Sequence, residues 1–308
     1  MKLTALLERG DAVLDGGLAT ELEARGLDLR DPLWSARVLR DDPQAIEDVH
    51  RAYFEAGADV AITASYQATF EGFASRGIAR DEAAALLRLS VEIARRAREA
   101  AGRNGLVAGS VGPYCVVLAN GGEYTGDYTG VGDEQIVATQ QPRIAELLAA
   151  GADAIAFETI PNAREAVVLA RLLDELPGVD AWLSFCCRDG EHLSDGSRID
   201  DVIRAADANG RVTAFGINCT PPEHVDSLLA LARSATDKPL LVYPNHGRTW
   251  HEETYTWSGI GADRFPAELV SRWRELGARA VGGCCGIGPG AIAEIAAYGS
   301  STNATSST

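Results

Sequence analysis

The stretch Ile46-Glu-Asp-Val-His-Arg-Ala-Tyr-Phe-Glu-Ala-Gly-Ala-Asp-Val-Ala-Ile-Thr-Ala-Ser65 decides the fold. Its first half has the apolar spacing of an amphipathic helix, and residues 60–65 form a short apolar run typical of a buried strand. Gly57 lies between them, where a glycine in the left-handed conformation commonly ends a helix. The same order recurs around Ala150–Asp153 and Leu276–Arg279. The chain is therefore predicted to alternate helices with strands.

Eight short apolar runs follow one another along the chain: Ala12–Asp15, Val60–Ser65, Leu106–Gly112, Ala154–Thr159, Ala181–Cys187, Ala214–Thr220, Leu240–Asn245 and Ala280–Gly286. Helical spacing separates several of them, as in Ile46–Ala56, Glu82–Ala101, Ile136–Ala150, Glu165–Leu176 and Pro266–Leu276. Strands that alternate with helices predict a parallel sheet. Eight such units fit an α/β fold of one domain, a closed (β/α)8 TIM-type barrel over residues 1–298. An open doubly wound sheet is the alternative, but it would separate the first strand from the last.

Composition narrows the class of protein. The chain has 308 residues, 46% of them hydrophobic, and a formal net charge of -16. An acidic surface repels phosphate backbones, so no nucleic-acid partner is expected. No run of 18 apolar residues and no secretion signal is present, which predicts a cytoplasmic protein without a membrane partner. The Ser- and Thr-rich residues 299–308 are predicted to be a disordered C-terminal tail.

Three cysteines end two of the apolar runs: Cys219 the sixth, and Cys284 with Cys285 the eighth. Three thiolates suit a soft tetrahedral ion such as Zn²⁺ and leave its fourth position open, as in a catalytic site. Two alternatives remain. The cysteines are small buried apolar residues, or the adjacent pair forms a disulfide, which would be strained because the two Cα atoms are only about 3.8 Å apart.

Other reactive side chains also fall at the carboxyl ends of the predicted strands, where a (β/α)8 barrel has its active site. They are Asp15, Thr63, Ser65, Glu158 and Asn245. Closure of the barrel would bring them and the cysteines into one site.

The chain resembles the zinc-dependent homocysteine S-methyltransferase family from about Leu14 to Ile295. The resemblance rests on Asp15-Gly16-Gly17, Thr63-Ala-Ser-Tyr-Gln-Ala-Thr69, Gly109-Ser-Val-Gly-Pro-Tyr114, Phe157-Glu-Thr-Ile-Pro161, Gly216-Ile-Asn-Cys219, Tyr243-Pro-Asn245 and Gly282-Gly-Cys-Cys-Gly286. Leu33-Trp-Ser-Ala36 and the segment 119–128 are most similar to members that use S-methylmethionine. The betaine-using and cobalamin-dependent branches are less similar.

The resemblance implies that Zn²⁺ bound by Cys219, Cys284 and Cys285 activates the thiol of homocysteine, which then takes a methyl group from a sulfonium donor to give methionine. S-methylmethionine is the expected donor and S-adenosylmethionine the second choice. Another acceptor such as selenocysteine, a zinc-dependent barrel hydrolase or aldolase, and a cysteine redox switch are the alternatives. The oligomeric state is left open.

The resemblance also assigns substrate contacts. Glu158 is expected to receive the substrate ammonium, with Asp15, Gly16 and Thr63 around the amino-acid end. For Thr63 and Ser65, bonds to backbone groups at the strand ends are an equal alternative. Asn245 is expected either to take the fourth zinc position before substrate arrives or to be a turn residue.

Several residues have weaker assignments. Aromatic rings attract sulfonium groups, so the candidates for a donor pocket are Tyr66, Tyr114, Trp34, Trp250 and Trp257. Residues 120–129 are either a lid over the barrel mouth or a plain surface loop. Cys115, Cys186 and Cys187 are expected to be buried structural thiols, and at most one of the latter two can face the barrel interior.

Overall fold

The computed structural model describes residues 1–30, 35–118, 121–251 and 256–304, with the backbone alone for 35, 249–251, 256–257 and 299–304. The barrel strands are β1 Ala12–Val13, β2 Val60–Ile62, β3 Leu106–Val111, β4 Ala154–Ile160, β5 Ala181–Phe185, β6 Ala214–Asn218, β7 Leu240–Tyr243 and β8 Ala278–Val281. Each of the eight predicted apolar runs overlaps one of these strands, although β4 ends one residue later and β8 begins two residues earlier than predicted. An antiparallel hairpin, Thr249–His251 with Thr256–Ser258, lies between β7 and β8 in sequence.

Helices precede or follow the strands: α1 Leu3–Glu8, α2 Leu18–Ala24, α3 Ser35–Asp41, α4 Pro43–Glu55, α5 Phe70–Ser75, α6 Arg80–Ala100, α7 Cys115–Leu118, α8 Gly122–Thr125, α9 Asp133–Ala149, α10 Ala163–Leu172, α11 Ile199–Ala206, α12 Val225–Ala235, α13 Ala267–Glu275 and α14 Pro289–Ala304. Short 3-10 turns cover Leu173–Glu175 and Pro222–His224. Gly57, Gly151 and Gly277 all have positive φ, which confirms the predicted helix ends. Within the described ranges, no helix is long and apolar enough to cross a membrane.

The sheet is parallel, in the order β1-β8-β7-β6-β5-β4-β3-β2. Leu14 pairs with Val60 through an isolated parallel bridge, so the two edge strands also meet. Two carboxylates extend this short seam: Asp59 Oδ2 accepts from Val13 N at 3.1 Å and Asp15 Oδ2 accepts from Ile62 N at 2.8 Å. The fold is therefore the predicted (β/α)8 barrel.

Two apolar layers hold the barrel together. Inside it, small residues such as Ala108, Ala156 and Ala280 surround the buried rings of Trp182 and Tyr243. Helix α1 contributes Leu3, Leu6 and Leu7 to this same cluster and so packs against the barrel interior. A second, larger cluster lies between the strands and the outer helices. With the interior filled, polar residues at the strand ends are left to form the site.

The end of the chain differs from the expectation of disorder. Helix α14 runs to Ala304, so residues 299–304 are helical, whereas 305–308 lie outside the described ranges. A formed helix extends residue by residue because each added residue contributes one hydrogen bond without a new nucleation cost.

Candidate active site and metal centre

Three sulfur atoms meet at the carboxyl-terminal face of the barrel. Cys219 directly follows β6, and Cys284 and Cys285 lie three and four positions after the end of β8. Their Sγ atoms lie within 4.8 Å of one another, and those of Cys284 and Cys285 are 3.9 Å apart. A tetrahedral ion with Zn–S bonds of about 2.3 Å holds its sulfurs about 3.8 Å apart. In the part of the chain that the structure describes, this is the single grouping that could hold a metal ion, and its spacing fits zinc.

The backbone presents Cys219 in an unusual conformation. Its φ is +48°, a left-handed value that is rare for a residue with a side chain. Its N–H donates to the carbonyl oxygen of Tyr243 at 3.2 Å, and its own carbonyl accepts from Asn245 Nδ2 at 3.0 Å. Because such a conformation persists only where its surroundings impose it, these bonds aim the Cys219 thiol at the other two.

Glycine allows the chain to bend past the cysteine pair. Gly286 has a φ of +84°, and a Cβ there would lie 2.1 Å from the ring of His246. At the facing loop, a Cβ on Gly16 would lie 2.2 Å from the carbonyl oxygen of Ile287. The predicted role of Gly16 is thus at least partly one of close packing between the β1 and β8 loops.

The three thiols favour a thiolate among themselves. Hydrogen bonds from Cys219 and Cys285 lower the pKa of Cys284 well below its usual range. The hydrogen bond with Cys284 raises the pKa of Cys219, and for Cys285 the hydrogen bond with Cys284, followed by burial, raises the pKa against a lowering effect of Cys219. A cluster that already stabilises one anion is suited to bind a cation, because metal ligation requires deprotonated sulfur.

Glu158 lies near the carboxyl end of β4, a strand whose residues are all buried, and is only 8% exposed. Ser110 donates its hydroxyl hydrogen to Glu158 Oε1, and Tyr243 also interacts with the carboxyl. Burial raises the pKa of Glu158 to about 8. A carboxyl group in this state is ready to pair with a cation, since a neighbouring positive charge restores its ionised form.

Asp15 lies next to Glu158 in space, and burial also raises its pKa well above the usual range. Asp15 Oδ2 accepts a hydrogen bond from the Ile62 amide, so one of the two carboxylate oxygens helps to join β1 to β2. Thr63 and Ser65 are buried and bonded to each other, Oγ1 to Oγ, at 2.8 Å. Ser65 donates to the Ser110 carbonyl at 2.7 Å, and Thr63 Oγ1 accepts from the Ser110 amide at 2.9 Å.

These bonds correspond to the strand-end alternative for Thr63 and Ser65. Ser110 was not among the predicted site residues. It lies in the motif Gly109-Ser-Val-Gly-Pro-Tyr114, but the sequence alone gives no reason to expect a functional hydroxyl at this position. In the fold it is the residue that connects Thr63 and Ser65 with Glu158.

Asn245 is bonded to the backbone at both ends of its amide. Oδ1 accepts from Gly247 N at 2.8 Å, and Nδ2 donates to the Cys219 carbonyl. This is the turn arrangement, in which Asn245 supports the Cys219 backbone rather than facing the open metal position. Oδ1 has a second lone pair beside the one used by Gly247, so the role of fourth zinc ligand stays a prediction.

The remaining cysteines are buried, as predicted. Cys186 directs its thiol to the Cys219 carbonyl, with Sγ and O 3.7 Å apart, while Cys187 belongs to the outer apolar cluster. Neither joins the three-sulfur grouping. Cys115 is enclosed in the same outer cluster, and burial raises the pKa of its thiol.

Two of the five donor-pocket aromatics can be placed. The Tyr66 hydroxyl interacts with Thr159 and lies near enough to Cys219 to feel its charge. Tyr114 packs instead against Tyr128, with ring centroids 6.1 Å apart. Trp34 and the side chains of Trp250 and Trp257 lie outside the described residues. Tyr124, which was not among the predicted donor-pocket residues, lies close enough to the three cysteines that the charges of Cys219 and Cys285 add to the rise of its pKa by burial.

The segment predicted as a lid or a loop is described from residue 121 onward. Tyr128 donates its hydroxyl to Glu165, Ser194 donates to the Glu123 carbonyl at 2.7 Å, and Asn162 donates to the Gly126 carbonyl at 2.9 Å. These three attachments, to helix α10 and to the loops after β4 and β5, hold the segment in place.

Comparison with known proteins agrees with this geometry. The sequence model of the family described as homocysteine S-methyltransferase matches residues 12–298. The chain belongs to the homocysteine S-methyltransferase family. It is 45% identical to homocysteine S-methyltransferase YbgG of Bacillus subtilis, over 95% of this chain and 96% of that one. A selenocysteine Se-methyltransferase of Brassica oleracea is 43% identical over 93% of this chain and 88% of that one.

A solved structure is also similar throughout. The metallated form of the homocysteine methyltransferase MmuM from Escherichia coli superposes with a TM-score of 0.84 at 46% identity, covering 95% of this chain and 98% of the other. Membership of the homocysteine S-methyltransferase family makes the chain an S-methyltransferase. The carboxyl-terminal face of the barrel is therefore the candidate site of methyl transfer.

Proposed function

We propose that this methyltransferase moves a methyl group from a sulfonium donor to the sulfur of homocysteine and forms methionine. Zn²⁺ would be bound by Cys219, Cys284 and Cys285. S-methylmethionine would be the preferred donor and S-adenosylmethionine the second. The observation that carries the proposal is the meeting of three thiols at one point on the barrel face that also holds the buried carboxyl groups of Asp15 and Glu158.

The donor set itself supports zinc. Three cysteines leave one position of a tetrahedral ion open, and Zn²⁺ lowers the pKa of a thiol placed there, so that homocysteine would react as its thiolate at neutral pH. Cys284, the thiol with the lowered pKa, provides negative charge on this side of the site. Excess negative charge from the cysteines keeps a bound substrate sulfur electron-rich.

The carboxyl groups would orient the rest of the substrate. Glu158 would pair with the ammonium of homocysteine, while its contact with Ser110 fixes the carboxyl against rotation. Asp15 adds a second acidic group nearby, which also favours the approach of a cationic donor.

The transfer needs no proton donor. The bond between the methyl carbon and the sulfonium sulfur breaks with its electron pair moving to the donor sulfur, and a homocysteine sulfur lone pair forms the new bond. The leaving group is a neutral thioether, and the thiol proton of homocysteine is released to solvent. With S-methylmethionine, both products are methionine.

The preference for S-methylmethionine rests on sequence resemblance at residues 33–36 and 119–128, of which 33, 34, 119 and 120 lie outside the described ranges. A reducing cytoplasm would suit the free thiols of this site. Selenocysteine is a second candidate acceptor, favoured by the similarity to the Brassica enzyme. It carries a selenol in place of a thiol and has one methylene less than homocysteine.

The test is methionine formation by purified, zinc-loaded protein from homocysteine, with S-methylmethionine, S-adenosylmethionine or no donor in parallel reactions. Turnover with either donor, lost on chelation and restored by zinc, is the expected result, and the faster donor identifies the preference. Selenocysteine replaces homocysteine in a matched series. A protein that holds one zinc ion and methylates neither acceptor would overturn the proposal.

A further inference from the structure

Two residues with side chains have positive φ in the described ranges, and both lie at the site. They are Thr159, with φ +62°, and Cys219, with φ +48°. Thr159 directly follows Glu158, and Cys219 is a proposed metal ligand. Left-handed backbone is costly for a β-branched residue such as threonine, so it signals a constraint imposed from outside the residue.

The constraint on Thr159 comes from Asn218, the residue directly before Cys219. Asn218 Oδ1 accepts from the Thr159 amide at 2.8 Å, and Asn218 Nδ2 donates to Thr159 Oγ1 at 2.8 Å. Both atoms of one buried carboxamide are therefore bonded to one residue. We refer to this pair of bonds as the Asn218–Thr159 clamp.

The clamp joins strands that are not neighbours. Asn218 ends β6 and Thr159 belongs to β4, with β5 between them in the sheet. The other bonds to Cys219 described above connect it to the end of β7, through Tyr243 and Asn245, and to Cys186 directly after β5. Of these contacts, the clamp alone ties the Cys219 segment to the Glu158 segment.

We propose that Asn218 is a positioning residue that fixes Cys219 relative to Glu158 and thereby sets the length of the amino thiol that the site accepts. The inference rests on the proposed function, in which the substrate sulfur lies at the cysteines and its ammonium at Glu158. Cysteine has the same two end groups as homocysteine but one methylene less. A rigid spacing between the ends therefore favours homocysteine over cysteine and, by length alone, over selenocysteine as well, and a loosened spacing discriminates less.

The test uses full-length protein loaded with Co²⁺, whose thiolate absorption bands change when a further thiolate binds. Homocysteine and cysteine are titrated separately into wild type, Asn218→Ala, Thr159→Val and Thr159→Ser. Thr159→Val removes the Oγ1 bonds to Asn218 and Tyr66 and keeps both the amide bond and the branched side chain. Thr159→Ser keeps both bonds. Val270→Ala, a buried change on α13, serves as the control for lost stability alone.

We expect Asn218→Ala to weaken homocysteine binding at least tenfold and cysteine binding less, with a smaller change of the same kind in Thr159→Val. Thr159→Ser should match wild type. Val270→Ala should lower the melting temperature and leave the ratio of the two dissociation constants unchanged. If Asn218→Ala fails to fold, Thr159→Val decides.

An unchanged homocysteine-to-cysteine ratio in folded Asn218→Ala and Thr159→Val overturns this inference, because the clamp would then contribute only to stability. The proposed function fails differently: in that case wild-type Co²⁺ protein shows no spectral response to homocysteine at all.

Discussion

Ser110, at the end of the third strand, donates its hydroxyl hydrogen to Glu158, 48 positions later at the end of the fourth. The bond is buried, so the orientation of the Glu158 carboxyl is determined by the neighbouring strand and not by solvent. Ser110 is in turn bonded to Thr63 and Ser65, which directly follow the second strand. The ends of three consecutive strands thus act together on one carboxyl group.

Replacing Glu158 with Gln should raise the KM for homocysteine by about 10- to 100-fold, because a hydrogen bond to a charged group is worth about 1.5–3 kcal/mol. Zinc content should not change. Ser110→Ala should raise the KM by a smaller factor, since it frees the carboxyl without removing its charge. Initial rates at varied homocysteine concentration check both, and an unchanged KM in Glu158→Gln would remove the assignment of Glu158.

Replacing Cys219 with Ser should abolish both zinc retention and turnover. The matched variant is Cys186→Ser, in which the lost thiol bonds a carbonyl and belongs to no sulfur grouping. Cys186→Ser should keep about one zinc ion per chain and most of its activity. Metal analysis after gel filtration distinguishes the two, and zinc loss in both variants would indicate a site that includes Cys186.

Much of the fold could be predicted from sequence because each unit carries its own local signals. Gly57, Gly151 and Gly277 mark helix ends, and the apolar runs that follow are too short for helices. The strand ends then place Cys219, Cys284 and Cys285 together, because parallel strands of a barrel share one face. The resemblance to a family added roles that periodicity alone does not give, such as that of Glu158.

What could not be predicted depends on side-chain directions across strands. Nothing in the sequence indicates that the Asn218 amide faces Thr159 or that Asn245 is bonded to the Cys219 backbone. Both contacts join residues distant in sequence, and they depend on the twist of the strands and on their register in the closed barrel. The Ser- and Thr-rich composition predicted disorder for residues 299–304, which are helical, because composition does not indicate that a helix formed earlier in the chain continues.

Replacing Gly16 with Ala should destabilise the protein by about 2 kcal/mol or more, because the new Cβ would overlap the Ile287 carbonyl, which accepts bonds from Gly17 and Tyr53. Gly290→Ala, in α14, is the matched control: a Cβ there meets nothing within 4 Å. It should stabilise by up to about 1 kcal/mol. Urea unfolding measures both, and equal effects would contradict the packing argument.

His50 should make the protein sensitive to mild acid. It is fully buried on α4, neither ring nitrogen has a hydrogen-bond partner, and burial lowers its pKa to about 4. In the unfolded chain the pKa of this histidine is about 6.5. As pH falls, His50 is therefore protonated at a higher pH in the unfolded chain than in the folded one. Stability from neutral His50 is complete above pH ~6.5 and decreases by up to about 3 kcal/mol on approach to pH ~4.

His50→Leu should remove this contribution to the pH dependence. Urea unfolding of metal-free protein between pH 4.5 and 7.5 is the measurement, since metal loss would otherwise add its own pH dependence. The partly exposed His224→Leu serves as the control. Parallel pH profiles for wild type and His50→Leu would show that His50 is not responsible.

The seam between the first two strands should couple hydrogen exchange in the barrel wall to occupancy of the site. One backbone bridge and two carboxylates join β1 to β2, and one of those carboxylates is Asp15. The amide of Ile62 is protected by a side chain that also faces the substrate region, so its hydrogen exchange reports local opening of the barrel wall. A ligand held at Asp15 would slow that exchange while leaving the ladder between β4 and β5 untouched. Side-chain carboxylates thus complete the barrel wall where the substrate is proposed to bind, and occupancy of the site would stabilise that part of the wall.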